Sequence, residues 1–225
     1  MTPRAAAPVV FVALMLSAFG APPAPDLSGM WVFTHAGGRF LGRLLLQQAG
    51  ASLTGTWHTD AGKIDTDQPV AGEVRGSTVY LTRFIGDQKQ TYVLALSKDG
   101  SRLDGFGEGF FLSHTNLNLH RSLPPRANLT GEWYFWCAGN RFQGTIQFRQ
   151  EDSAVAGTWH TETGKSERDS ELTGWLDGDT LYLTRNAGGF QQQYVLTLSS
   201  DGTQLRGFGD GFGIQHANLD MRRRD

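Results

Sequence analysis

"LTGTWHTDAGK" occupies residues 53–63 and "VAGTWHTETGK" residues 155–165. One chain spells Gly-Thr-Trp-His-Thr twice, and the alignment between the two copies holds on both sides without a gap. Trp31 meets Trp133 and Phe40 meets Phe142. The run Tyr80-Leu81-Thr82-Arg83 meets Tyr182-Leu183-Thr184-Arg185, and His114 meets His216. Close to half of the positions match. Each copy is far longer than a solenoid unit, so the chain carries duplicated domains rather than stacked repeats. "SLPPRA" at 122–127 is the joint. Pro124 and Pro125 stiffen it, and its shortness keeps the copies close.

Within a copy the pattern is strand, turn, strand. Phe142, Gly144, Ile146 and Phe148 alternate with Arg141, Gln143, Thr145, Gln147 and Arg149. That is a period of two, with one buried face and one wet face. Turn signals follow at short intervals: "QAGAS", "VRGST", "SKDGS", then "LDGDT" and "SSDGT". Strands are expected near 30–36, 39–48, 52–59, 69–75, 78–84, 90–97, 102–109 and 111–121, and at the matching positions of the second copy. No helical stripe stands out. Eight short antiparallel strands joined in order predict an up-and-down barrel, because closing the sheet removes its edges. The expected fold is all-β: two tandem eight-stranded antiparallel up-and-down β-barrels, over 26–121 and 128–225. A single sixteen-stranded membrane barrel is disfavoured, because Arg141, Gln143, Gln147 and Arg149 would then face lipid.

"LSGMW" at 27–31 opens the first copy and "NLNLHR" at 116–121 closes it. "LTGEW" at 129–133 and "NLDMRR" at 218–223 do the same in the second. A Gly-x-Trp on the first strand with an Arg on the last resembles the calycin superfamily, which includes lipocalins, fatty-acid-binding proteins and avidins. The resemblance covers each copy at the level of strand count. It implies an indole plugging one end of each barrel with the basic residue packed over it, a cation–π geometry. Parity agrees: Trp31 and Phe33 share a face, as do Leu117, Leu119 and Arg121. "TGTW" at 54–57 is similar to avidins too, but the tryptophans of an avidin biotin pocket have no match here, which argues against biotin.

The bulk numbers exclude several classes. A formal net charge of -2 gives no electrostatic case for nucleic acid. One cysteine, Cys137, leaves no internal disulfide, so each core must stand without staples. Arg4, the apolar stretch Ala5 to Gly20 and the small residues around Ala18 read as an export signal, with a spacer to residue 25. The stretch is short for a membrane span. The expected location is secreted or periplasmic, with no stable membrane span after cleavage.

Let the strands alternate up and down from Trp31 at the bottom. The polar residues common to both copies then gather at the top. The candidate ligand-binding set is Arg39, Trp57, His58, Thr59, Arg83, Tyr92 and His114 in the first copy. In the second it is Arg141, Trp159, His160, Thr161, Arg185, Tyr194 and His216. Lys63, Lys165, Glu108 and Asp210 lie at the same end. Arg83 shares parity with Val79 and Leu81; if that face is inward, a buried guanidinium favours a carboxylate ligand. The alternative is a structural network in which Arg83 pairs with Glu108 across the mouth. The rims differ: His35 becomes Cys137, Thr34 becomes Trp136, Phe84 becomes Asn186 and Gln88 becomes Phe190. Leu41, Leu45, Phe106, Phe110, Phe208 and Phe212 sit on the wet faces, and are expected to bury one another between the barrels.

Chemistry motifs are sparse. His58 and His114 lack tight metal-ligand spacing, and no serine elbow, phosphate loop or cysteine pair occurs. "GFGEGF" at 105–110 leads into a strand rather than a helix, so a dinucleotide loop fails its context test. No catalytic residue, metal ligand or cofactor is assigned. Three classes remain: an exported protein binding a small ligand at the open end of one or both barrels, a module of protease-inhibitor type acting on another exported protein through the rim, and an enzyme built on a His58–Glu108–His114 cluster. They rank in that order.

Overall fold

The structure is a computed structural model. It describes residues 25–36, 40–59, 67–109, 112–139, 141–163, 169–211 and 214–224, and at residues 112, 211 and 214–216 the backbone alone. The proposed export segment and the apolar pair Phe110 and Phe212 lie outside the described residues.

Eight strands form the first closed antiparallel barrel: β1 (Gly29–His35), β2 (Phe40–Ala49), β3 (Ser52–Thr59), β4 (Gln68–Arg75), β5 (Thr78–Ile85), β6 (Gln88–Leu96), β7 (Arg102–Gly109) and β8 (Leu112–Arg121). The second runs β9 (Gly131–Cys137), β10 (Phe142–Glu151), β11 (Ala154–Thr161), β12 (Ser170–Asp177), β13 (Thr180–Ala187), β14 (Phe190–Leu198), β15 (Gln204–Gly211) and β16 (Ile214–Arg223). Each strand pairs with its sequence neighbours, and the first and last close the ring. Two eight-stranded rings therefore stand where one sixteen-stranded ring was the rival. Among the described residues no helix is long and apolar enough to cross a membrane.

Parity places the core. Trp31, Phe33, Leu44, Leu46, Trp57, Tyr92 and Leu94 point inward and are almost fully buried; Trp133, Phe135, Ile146, Phe148, Trp159, Tyr194 and Leu196 repeat the arrangement. At the bottom, Arg121 lies 4.7 Å over the Trp31 ring and donates to the carbonyls of Gly100 and Ser28. Arg223 sits over Trp133 at 5.6 Å. Each indole N–H donates to a carbonyl four residues earlier, Leu27 and Leu129, at 2.9 Å. The plug is thus hydrogen-bonded at both of its polar edges, which a buried indole requires.

The barrels share a seam. Val32 and Leu41 of the first pack on Trp175 and Tyr182 of the second. Beside them the Asp177 carboxylate accepts from His120 Nε2 (2.6 Å), Ser122 Oγ (3.1 Å) and the Leu123 amide (2.5 Å). Burial raises the Asp177 pKa, but these bonds and the nearby His120 outweigh it and hold the carboxyl below its ordinary range. The joint is strapped down by Arg126 N donating to Gly178 O (2.8 Å) and by an Arg126–Asp179 ion pair (3.7 Å). The expectation that the apolar wet-face residues meet between the barrels holds for Leu41 only. Leu45, Phe106 and Phe208 stay exposed, the phenyl rings at 52% and 59%. The seam engages β1, β2 and β8 against β12 and β13, which leaves β7 and β15 clear of it.

Candidate functional site: the two barrel mouths

The upper interior of the first barrel holds polar groups where a closed sheet is usually filled with hydrocarbon. β3 rises to Trp57 and Thr59, β4 descends from Gln68, β5 carries Arg83 and β6 carries Gln90 and Tyr92, all on inward parity. Phe33 packs on the Trp57 ring at 4.1 Å between centroids, and Tyr92 stacks on it at 5.4 Å and 15°. The Arg83 guanidinium lies over the same indole at 4.7 Å. Its Nε donates to Gln68 Oε1 (2.6 Å), and its terminal nitrogens to Thr59 Oγ1 (3.2 Å) and Gln90 Oε1 (3.4 Å). Thr59 also accepts the Trp57 indole N–H (2.9 Å), and the Tyr92 hydroxyl donates to Gln90 Oε1 (2.6 Å).

Room for this stack comes from glycine. A Cβ on Gly107 would meet Tyr92 Cδ1 at 2.3 Å, and one on Gly209 would meet Tyr194 Cδ1 at 2.1 Å. The Gly-Phe-Gly repeats therefore present phenyl rings to solvent and bare backbone to the interior.

The electrostatics are one-sided. Arg83 is 6% exposed. Burial lowers its pKa from the ordinary guanidinium value, with the Tyr92 hydroxyl pulling back. Burial pushes Tyr92 up to about 12, against the pull of Arg83. At neutral pH the pair is a charged guanidinium and a neutral phenol. His35, inward on β1, packs edge-on to Tyr92 at 5.6 Å. Burial, then the Arg83 charge, lowers its pKa to about 4, so the imidazole is neutral. Its Nε2 and the Gln68 amide nitrogen are buried without a hydrogen-bond partner.

The second mouth repeats the design. Arg185 lies over Trp159 at 4.5 Å and donates to Gln192 Oε1 and Ser170 Oγ, both at 3.2 Å; its Nε is buried without a partner. Tyr194 donates to Gln192 Oε1 (3.0 Å) and Trp159 to Thr161 Oγ1 (3.0 Å). Cys137 replaces His35, and burial raises its pKa, which marks a neutral thiol of low reactivity. Among the described residues no carboxylate reaches either guanidinium. A buried cation served only by amides and hydroxyls is short of negative charge.

The expected site residues divide into two groups. Trp57, Thr59, Arg83 and Tyr92 converge inside the first mouth, as Trp159, Thr161, Arg185 and Tyr194 do inside the second. His58, His114 and His160 stand on the outer walls. His58 pairs with Asp67 (2.7 Å) and His160 with Asp169 (2.8 Å). His114, at φ 52° beside a β-bulge on β7–β8, stacks on Phe106 at 4.8 Å and meets Glu108 at 3.7 Å. Glu108 therefore pairs outside with His114, not across the mouth with Arg83. β3 and β7 lie on opposite sides of the ring, so His58, Glu108 and His114 do not converge. Among the described residues no three His, Cys, Asp or Glu side chains gather as a metal site would need. Arg141 is exposed in the turn before β10. Arg39, Lys63, Lys165 and the His216 side chain lie outside the described residues.

No family model matches the chain, and no curated protein does. Among solved structures, a hemagglutinin of Myxococcus xanthus, crystallised in complex with a3,a6-mannopentaose, aligns with 91% of this chain and 96% of its own. The identity is 12% and the TM-score 0.20, too loose a superposition to carry fold or ligand across.

Sequence reasoning missed Gln68, Gln90, Ser170 and Gln192 as guanidinium partners, and Asp67 and Asp169 as histidine partners. Two signals were present. Gln90 matches Gln192 and Asp67 matches Asp169 between copies, and Gln90 shares the inward parity of Tyr92.

Proposed function

We propose that this is an exported, calycin-like binding protein whose barrel mouths receive the acid group of a small ligand. The observation that carries the reading is the buried guanidinium of Arg83 and its half-buried counterpart Arg185, each set on an indole and given only neutral acceptors. A carboxylate would supply the missing charge through a charge-assisted, fork-shaped pair. The orphan donors, Gln68 Nε2 in the first barrel and Arg185 Nε in the second, offer further contacts. Below Tyr92 the interior is packed by Phe33, Leu44 and Leu46, so a head group enters and a long apolar tail does not. Export is supported by Arg4 and the apolar stretch Ala5 to Gly20.

Native mass spectrometry of the protein from the cells that make it should show a retained acid. Arg83→Gln with Arg185→Gln should release it; retention in the double variant rules the reading out. A second reading has its own observation: Tyr80, Val93 and Phe106 form one cross-strand row on the outer wall, with Val93 and Phe106 more than half exposed. That row suits a macromolecular partner, whose binding Phe106→Ser would weaken without changing the retained acid.

A further inference from the structure

We propose that the two mouths take different acids, and that two unpartnered buried atoms, His35 Nε2 and Gln68 Nε2, tune the first mouth for a short 2-hydroxy acid. This rests on the acid-binding reading above and names the ligand class of one mouth.

The polar layer that crowns the first barrel satisfies almost all of its own hydrogen bonds. His35 closes β1, Thr59 closes β3, Gln68 opens β4, and Gln90 lies near the start of β6. Thr59 Oγ1 accepts from Trp57 and from Arg83. Gln90 Oε1 accepts from Arg83 and Tyr92, and its Nε2 donates to the Gly109 carbonyl at 3.5 Å. Gln68 Oε1 accepts from Arg83 Nε, which fixes the end of that amide that is oxygen. Left over in this layer, buried and without a partner, are Gln68 Nε2 and His35 Nε2. The two residues are 5% and 2% exposed, so bulk water does not serve them. Such orphans are rare in a native fold. Here one belongs to the amide that holds Arg83, and the other to an imidazole packed edge-on to Trp57 (6.2 Å) and Tyr92 (5.6 Å), beside the indole on which Arg83 rests.

The two atoms ask for different partners. Gln68 Nε2 only donates. His35 Nε2 accepts when the neutral imidazole carries its proton on Nδ1. A hydroxyl does both jobs at once, accepting from the amide and donating to the imidazole. The carbon next to a carboxylate held by Arg83 carries that hydroxyl into the same layer. An ammonium there would meet the Arg83 charge and would have no lone pair for Gln68. A plain acid would leave both atoms orphaned.

The second mouth lacks the pair. Cys137 and Ser170 stand where the first has His35 and Gln68. Ser170 Oγ already accepts from Arg185, and a thiol is a weak hydrogen-bonding group. The orphan there is Arg185 Nε, a donor for the carboxylate itself. That mouth needs an anion and no hydroxyl.

The test is nitrogen-15 NMR on the full chain, titrated separately with L-lactate, D-lactate, propionate and L-alanine. These acids share one skeleton and differ in the group on the carbon beside the carboxylate. The Nε–H resonances of Arg83 and Arg185 read the two mouths separately. Arg83 should bind one lactate enantiomer at least about tenfold more tightly than propionate or alanine, and Arg185 should bind lactate and propionate within about threefold of each other. His35→Cys with Gln68→Ser, which installs the second barrel's residues on the same scaffold, should bring lactate and propionate within about threefold at Arg83. Cys137→His with Ser170→Gln should create the preference at Arg185, an independent check should the first swap not fold. The inference is overturned if Arg83 binds propionate or alanine as tightly as lactate, or stays still while Arg185 responds. It is equally overturned if Arg185 in the unaltered chain shows the same preference, or if either swap, folded by circular dichroism, leaves the selectivity as it was. The acid-binding reading survives each of these results. It falls, and this inference with it, if every acid leaves both arginines unmoved.

Discussion

His35 and Cys137 hold the same inward position beside the same Trp–Tyr–Arg stack, and of the two only the imidazole titrates in acid. An unfolded chain protonates His35 below about pH 6.5, the folded chain only below about pH 4. Between those values the unfolded state holds more protons, so stability rises with pH. The contribution is complete above pH 6.5 and falls by up to about 3 kcal/mol on acidification to pH 4. Denaturant titrations across that window should show this slope, and His35→Cys should flatten it. An unchanged slope would mean that His35 is solvated in solution. Parity alone made the inward Arg83 legible. Its partners were not, because an acid near the rim looked like the natural counterion. The alternation that turns Gly107 inward turns Glu108 out, and two amides take the place that a carboxylate was expected to fill.

At the scale of the strand, the boundaries were readable to within a residue or two. Period-two burial and Asp-Gly or Gly-Ser turns act locally, so neither depends on tertiary context. β6 begins at Gln88, earlier than expected near 90, because the Gly86-Asp87 turn is tight and Ile85 already pairs with Gln88. The inward glycines of β7 and β15 were visible as a pattern, but their purpose was not: it lies in the rings of Tyr92 and Tyr194 on the neighbouring strand. Gly107→Ala should push Tyr92 off Trp57 and cost about 1–3 kcal/mol, the usual range for overpacking. Thermal unfolding checks it, and wild-type stability in that variant would show that the aromatic stack has slack.

At the scale of the whole molecule, the barrels meet head to tail, with different faces in contact. Such an interface propagates into a filament unless the outer faces are changed. Here they are. Where the second barrel offers Trp175 and Asp177, the first carries Glu73 and Arg75, which pair with each other while Arg75 covers Tyr80. Where the first offers Val32, Leu41 and His120, the second carries Tyr134, Gln143 and Arg222. The duplication was plain in the sequence. The seam was not, since it rests on the positions where the copies disagree. With both mouths in one chain, nitrogen-15 NMR of the arginine Nε–H groups reads both at once. Titration with acetate should move the Arg83 or Arg185 resonance saturably while acetamide and the exposed Arg206 register nothing. If both mouth arginines stay still, or acetamide moves them equally, the barrel mouths are not anion sites.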